Sequence, residues 1–403
     1  MLKAKTAIVL NTVGIFGGAE RRFTGLFRYL YDKYPDKIFY IVSYDLYNRI
    51  KLMFYDFPFE NVFCVGPGNI LPLKNIIQVK INEDCNKRKN LSFFKKVHKF
   101  KKNYLHQRRI FREIRNIQLS YKITILLGVA SAIIPLYFYF DKKNRPSIIY
   151  SNMDSWFSDI VPDDDLWYRK YSSYNFAHTQ SDIVDFLSPF ILEGIKERGI
   201  NIPESRISIT PCSFSDYSKC SIGDKKTFSV VFTGRLEERK NPFLFLDAVE
   251  ILLNKYPDII FHIMGEGRLS EAVYNRCQRL NSKNVIFHGF HKNPPEILSE
   301  SSAFISIQET NNYPSQSILE AMACGNAVIA SDVGDTRMFI NENNGILISL
   351  DKNELVDAIE KLYLNREMCR GMGSFAYKYV RENHTIEKCA DYYVKLFNMK
   401  PSV

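Results

Sequence analysis

Two stretches of this chain share one pattern, an apolar strand that runs into glycine and then into an amphipathic helix. The first is Ala7-Ile8-Val9-Leu10, followed by Gly14, Gly17 and Gly18 and by helical spacing at Phe23, Leu26, Phe27 and Leu30. The second is Phe228 to Thr233, followed by Gly234 and by Phe245, Leu246, Val249, Leu252 and Leu253 after Pro242. A strand that feeds a crossover helix leads to a parallel neighbour. Strand signals keep returning after each opening: Phe39–Ser43, Val62–Val65, Ile148–Tyr150 and Ile207–Pro211, then Ile259–Met264, Val285–Gly289, Ala303–Ile307 and Ala327–Ala330. The fold class is therefore α/β, with two doubly wound, Rossmann-like domains whose ligands belong at the carboxyl ends of the strands. A length of 403 residues fits two domains. Ser213 to Lys226, rich in Ser, Asp and Lys, reads as the linker. The expected division is 1–215, 216–385 and a C-terminal helix, 386–403, that packs back towards the first domain.

Composition narrows the function classes. Hydrophobic residues make up 46% of the chain, which excludes wholesale disorder. The net charge is +10, but Lys87 to Arg115 alone holds twelve Lys/Arg and one acid, Glu113, a net of +11. The rest of the chain is then 10 − 11 = −1, unlike a uniformly basic nucleic-acid binder, so no nucleic-acid partner is expected. The eight cysteines form no CxxC pair, and neither a zinc site nor a disulfide framework is expected. No export signal is read at Met1-Leu2-Lys3-Ala4-Lys5, and a cytoplasmic location is expected. Ile123 to Phe140 is uncharged and mostly apolar, but Gly128, Ser131 and Pro135 interrupt it, so it reads as a buried strand–helix unit.

Two segments carry chemistry. Arg235 directly follows a strand and Lys240 directly precedes a helix, so both reach the sheet's carboxyl edge, where a fork of donors and a point charge suit a diphosphate. The competing account is a solvated turn paired with Glu237 and Glu238. In the second segment, Pro314 and Ser315 mark a helix start, whose free N–H groups and dipole make a phosphate site. Glu320 lies one to two turns in, among Ile318, Leu319, Met322 and Ala323, where a solvated glutamate is out of place.

Taken in order, Gly234-Arg235-Leu236…Lys240, then Gly265-Glu266-Gly267, then Pro314…Leu319-Glu320-Ala321-Met322-Ala323-Cys324-Gly325…Val328-Ile329-Ala330-Ser331-Asp332-Val333-Gly334 resembles the C-terminal half of retaining GT-B glycosyltransferases of family 4, glycosyl transferases group 1. Gly17-Gly18-Ala19-Glu20-Arg21 is similar to that family's N-terminal glycine loop. The resemblance covers Val230 to Gly334 and Gly14 to Arg22 and is weak over 44–175. It implies a GT-B fold and transfer of a hexosyl unit, with retention, from a UDP- or GDP-type nucleotide sugar to a saccharide or lipid-linked acceptor. No resident cofactor and no metal are implied. Surface polysaccharide or lipopolysaccharide assembly is the implied setting.

By position, Arg235 and Lys240 would hold the diphosphate and Glu320 the ribose. The loop of Tyr313, Pro314, Ser315, Gln316 and Ser317 would bring backbone N–H groups, which Pro314 itself lacks, to phosphate. Gly17 and Gly18 would admit the donor closely; Gly234, Gly265, Gly267, Gly289 and Phe290 would border it. Where the family places a Glu on the transferred sugar this chain has Asn312, with Glu309 nearby, and Gly334-Asp335-Thr336-Arg337 replaces a glycine pair followed by Pro-Glu. Acceptor candidates are Asp154 and His178, the latter set against a structural histidine. Asp163-Asp164-Asp165 reads as a solvated loop rather than a metal site. In Lys87–Arg115, cations interleave with Phe93, Phe94, Val97, Phe100, Tyr104, Leu105, Ile110 and Phe111, which suits either a helix on an anionic membrane face or a helix packed on its domain. Two other functions stay open: a silent nucleotide-sugar-binding partner, which Asn312 keeps in view, and a nucleotide-sugar 2-epimerase of the same fold.

Overall fold

The structure, a computed structural model, describes residues 1–11, 17–66, 93–153, 173–311, 313 and 315–399, with side chains from 104 onward in the helix that begins at Phe93. In the first lobe the elements run β1 (Thr6–Leu10), α1 (Gly18–Lys33), β2 (Ile38–Ser43), α2 (Tyr44–Met53), β3 (Val62–Val65), α3 (Phe93–Tyr121), β4 (Ile125–Leu127), α4 (Ile134–Phe140), β5 (Ser147–Asn152), α5 (Ser173–Gln180), β6 (Ile183–Phe186), α6 (Pro189–Glu197) and β7 (Ile207–Ile209). The strands form one parallel sheet in the order β3-β2-β1-β4-β5-β6-β7. Both faces are covered, so strands such as β1 and β2 are buried at every position.

The second lobe contains β8 (Ser229–Thr233), α7 (Pro242–Lys255), β9 (Ile260–Met264), α8 (Ser270–Arg279), β10 (Val285–Gly289), α9 (Pro294–Glu300), β11 (Ala303–Ser306), α10 (Gln316–Ala323), β12 (Ala327–Ser331), β13 (Gly345–Ile348), α11 (Lys352–Leu364), α12 (Arg366–Asn383) and α13 (Ile386–Asn398). Its parallel sheet has the order β10-β9-β8-β11-β12-β13. Helix α13 leaves this lobe: Tyr393, Val394, Leu396 and Phe397 are buried in one cluster with Phe23, Leu26 and Phe27 of α1.

Ile123–Phe140 is β4 followed by α4, and among the described residues no helix is long and apolar enough to cross a membrane. Several elements lie outside the sequence reading, β13, β6 and α12 among them. Phe176 to Ser181 reads as the approach to a helix, but Phe176–Gln180 ends α5 and a strand follows it. Asp185 interrupts the apolar signal of that strand; it is buried there because Thr210, Tyr392 and Tyr393 donate hydroxyl hydrogen bonds to its carboxylate. Helix α12 also carries a poor helical signal, since Gly371 and Gly373 lie inside it. The packing explains Gly373: a Cβ there would sit 2.2 Å from the Gly325 carbonyl oxygen.

Candidate active site

Strand order reverses between β1 and β4 and between β8 and β11, so the loops after these strands diverge and leave a crevice. In the second lobe the two loops are Gly234–Asn241 and 307–315. They are stitched together: the Glu309 N–H donates to the Arg239 carbonyl at 3.1 Å, and Lys240 Nζ donates to the Gln308 side-chain oxygen. Lys240 is half-buried, and desolvation first, then Arg239, pushes its ammonium down to about 8. The partner of Nζ is a neutral amide, so its charge is left for an anion. Arg235 is more open and stands 4.0 Å from Glu237, a loose pair that solvent screens.

Helix α10 points its first turn at the same crevice. The side chain of its cap residue, Ser315, accepts no backbone N–H of the helix; the hydroxyl bonds to Ser317 Oγ at 3.0 Å instead. The first N–H groups of the helix are thus not taken by its own cap side chain, a setting that favours anions. Gln316 donates to the Phe214 carbonyl at 2.6 Å. The first lobe faces it here, since a Cβ on Gly18 would lie 3.9 Å from Gln316 Cγ. Glu320 accepts from Ser215 Oγ at 2.8 Å and from Arg21 of the first lobe at 3.4 Å. Burial raises the affinity of its carboxylate for a proton, and Arg21 opposes this.

Tyr313 departs from its expected role. Its ring is buried 5.2 Å from that of Phe339, and its N–H donates to Asn311 Oδ1 at 3.3 Å rather than standing free for phosphate. The glycines of the second lobe have a backbone reason. Gly265, at φ +139°, would place a Cβ 1.9 Å from the Gly234 oxygen, and Gly267 one 2.4 Å from the Leu236 oxygen. They let the loops after β8 and β9 touch, with Leu236 N–H donating to the Glu266 carbonyl at 3.0 Å. Phe290 is 62% exposed beyond Gly289. Gly17 donates its N–H to Glu20 at 2.9 Å, which anchors the start of α1.

His178 is fully buried. Its Nδ1–H donates to the Tyr174 carbonyl at 2.8 Å and its Nε2 accepts from the Asn152 amide at 3.0 Å, so both ring nitrogens are used inside the lobe. Burial holds this imidazole down to about 4. Asn312, Pro314, Asp154 and Asp163–Asp165 lie outside the described residues, as do residues 87–92 of the basic stretch. Ser215, Gln308 and Asn311 join the site without a sequence signal of their own, because nothing local pairs 240 with 308 or 215 with 320; Arg21 stands out in the sequence only as the end of the glycine loop.

Residues 218–379 match the family model described as glycosyl transferases group 1. The Bacillus subtilis protein EpsD is 30% identical over 180 residues, 43% of this chain and 46% of that protein. The poly(ribitol-phosphate) alpha-N-acetylglucosaminyltransferase of Staphylococcus aureus is 27% identical over 170 residues, 41% of this chain and 34% of the enzyme. The chain thus spans less than half the length of either curated relative. Anabaena HepE, solved in complex with UDP and glucose, superposes with a TM-score of 0.73 at 14% identity, over 99% of this chain and all of that one. The chain has the GT-B fold. In GT-B terms, the first sheet and α13 make the N-terminal lobe, and Arg235, Lys240 and the start of α10 stand on the C-terminal lobe facing it.

Proposed function

We propose that this chain is a retaining glycosyltransferase that takes a UDP- or GDP-type nucleotide sugar as donor and a saccharide or lipid-linked hydroxyl as acceptor. The observation that carries the reading is the under-neutralised Lys240 beside Arg235 and the uncapped start of α10, all at one strand-order reversal. In the reaction the bond from the anomeric carbon to the diphosphate oxygen breaks and its electron pair stays on the diphosphate. Arg235, Lys240 and the helix end stabilise the charge that grows there, with no metal required. The acceptor oxygen forms the new bond on the same face, and its proton passes to the leaving phosphate. Glu320 receives the ribose hydroxyls. Closure of the lobes excludes water. The setting we favour is bacterial surface polysaccharide assembly, on the cytoplasmic side. The HepE complex with UDP supports the class of donor, and the curated relatives support glycosyl transfer.

Attachment to an anionic membrane face belongs to the same reading. Ile110, Phe111 and Ile114 of α3 pack into the lobe, while Leu105 is 54% and Phe140 53% exposed, with Arg108 over the Phe140 ring. Salt-sensitive pelleting with anionic vesicles tests it.

Calorimetric titration of UDP and GDP tests the donor site. One nucleotide should bind to the wild-type protein, and slow hydrolysis of the matching nucleotide sugar should follow. Failure of both nucleotides to bind, or equal binding by Lys240→Ala, would overturn the assignment.

A further inference from the structure

Helix α6 of the N-terminal lobe has an unusual cap. Ser188 holds the cap position, yet its hydroxyl makes no bond to its own helix. Instead it accepts from Asn311 Nδ2 of the other lobe at 3.2 Å. The N–H of Phe190, in the first turn of α6, donates to the carboxylate of Asp335 at 2.9 Å, so the capping group also comes from across the crevice. The two donations are linked: Asn311 Oδ1 accepts the Asp335 N–H at 3.0 Å and the Tyr313 N–H at 3.3 Å. The amide therefore has its oxygen turned to its own lobe and its nitrogen to Ser188. Gly334 makes room for this seat. It sits at φ +52°, and a Cβ there would meet Asn311 Cβ at 2.6 Å.

We infer that Asp335, Asn311 and Ser188 form a cross-lobe latch that positions the 309–317 loop against the N-terminal lobe. The inference rests on the reading above for the role of that loop, but the latch itself is a matter of contacts. Asp335 stands in the Gly334-Asp335-Thr336-Arg337 segment, where the sequence departs from the glycine pair and Pro-Glu of the resembled family. An aspartate there can do what a glutamine or alanine cannot, since a short carboxylate is among the best helix caps. These three are positioning residues: they reach the donor only through the loop they hold.

Amide hydrogen exchange on the full-length protein without ligand reads the latch directly. Asp335→Ala should speed exchange at Phe190 by about tenfold, the loss expected for one hydrogen bond to a charged group. Asp335→Asn should keep Phe190 slow, because Asn caps about as well as Asp. Ser188→Ala should speed exchange at Tyr313, on the other lobe, by about threefold. A role confined to the Gly334–Met338 turn would leave both amides as they are. Unchanged exchange at Phe190 in Asp335→Ala, or at Tyr313 in Ser188→Ala, overturns the latch; if Asp335→Ala does not fold, the Ser188 variant decides alone. With donor, Asp335→Ala should lower the rate of hydrolysis or transfer by about tenfold and leave UDP affinity within about twofold. A wild-type protein that binds no nucleotide would end the donor reading and leave the exchange result standing.

Discussion

In the N-terminal lobe the strands run β3-β2-β1-β4-β5-β6-β7, and in the C-terminal lobe β10-β9-β8-β11-β12-β13, the same walk with one strand fewer. The ionic groups of the two lobes are placed in opposite ways. Arg22 and Asp185 are both buried inside the N-terminal lobe. Arg22 donates to Ser213 Oγ at 2.8 Å and to the Cys212 carbonyl at 3.2 Å. Asp185 receives Thr210, Tyr392 and Tyr393. These contacts clamp the two places where the chain crosses between lobes, the linker and α13. In the C-terminal lobe Lys240, half-buried, stands at the crevice with an amide for a partner. A buried charge surrounded by complementary groups holds the fold, whereas a half-buried one left under-neutralised at a strand-order reversal suits a ligand.

The sharpest way to break this contrast is to remove the cations at the crevice. Lys240→Ala or Arg235→Ala should cut transfer or donor hydrolysis by roughly 100- to 1000-fold, the loss seen when a preorganised group is removed from a developing oxyanion. The denaturation midpoint should hardly move, as neither side chain neutralises a buried carboxylate. Steady-state rates and thermal melts on the same preparations check both halves. A variant that melts early instead would place Lys240 with the structural ions.

Arg22→Ala should do the reverse. Taking away one buried partner leaves the rest of the cluster unmatched, at a cost of about 3 kcal/mol in folding stability. A lower denaturant midpoint with nucleotide binding retained in the folded fraction is the expected result. Unchanged stability would mean that the clamp holds nothing.

The same contrast explains what could be read from the chain alone. Both parallel sheets were legible because strand and helix signals alternate with glycine at the turns, as at Val9–Leu10 and Phe232–Gly234. Arg235 and Lys240 were legible as candidates because each stands next to a strand or helix boundary, and Glu320 because it interrupts the apolar run of Ile318, Leu319, Met322 and Ala323. Strand β6 was not, because its central Asp185 is buried through hydroxyls some two hundred residues away, as with Tyr392. Helix α12 was hidden by Gly373, which serves a contact with Gly325 rather than a turn. The partners Gln308 and Ser215 were invisible because only the folded sheet brings them to Lys240 and Glu320. The reading of Tyr313 as a phosphate donor missed that Asn311 takes its N–H.

A milder perturbation titrates the crevice ion rather than deleting it. Burial holds Lys240 down to about 8, and an arriving diphosphate would raise that value. Below about pH 8 the ammonium is already charged and UDP affinity should be flat; above it, affinity should fall by about tenfold per pH unit until the bound lysine itself deprotonates. Calorimetry across that range checks the slope. Lys240→Arg, which stays charged, should remove it. A flat wild-type profile would mean that the diphosphate does not meet this nitrogen.

The smallest effect is expected where the lobes share a charge pair. Arg21 is 45% exposed and 3.4 Å from Glu320, whose side chain is 13% exposed. With its cation this open to solvent, the pair contributes no more than about 1 kcal/mol. If Glu320 takes the ribose hydroxyls, the Arg21 contact competes with them, so Arg21→Ala should tighten nucleotide binding, by no more than about threefold. Ser215→Ala should weaken it, because Ser215 Oγ, 2.8 Å from Glu320, orients the carboxylate without carrying charge. Titration of both variants separates the two roles. A loss of affinity above about tenfold in Arg21→Ala would show that Arg21 itself grips the nucleotide. The contrast between the lobes would then need redrawing, with the N-terminal lobe supplying a ligand-binding cation of its own.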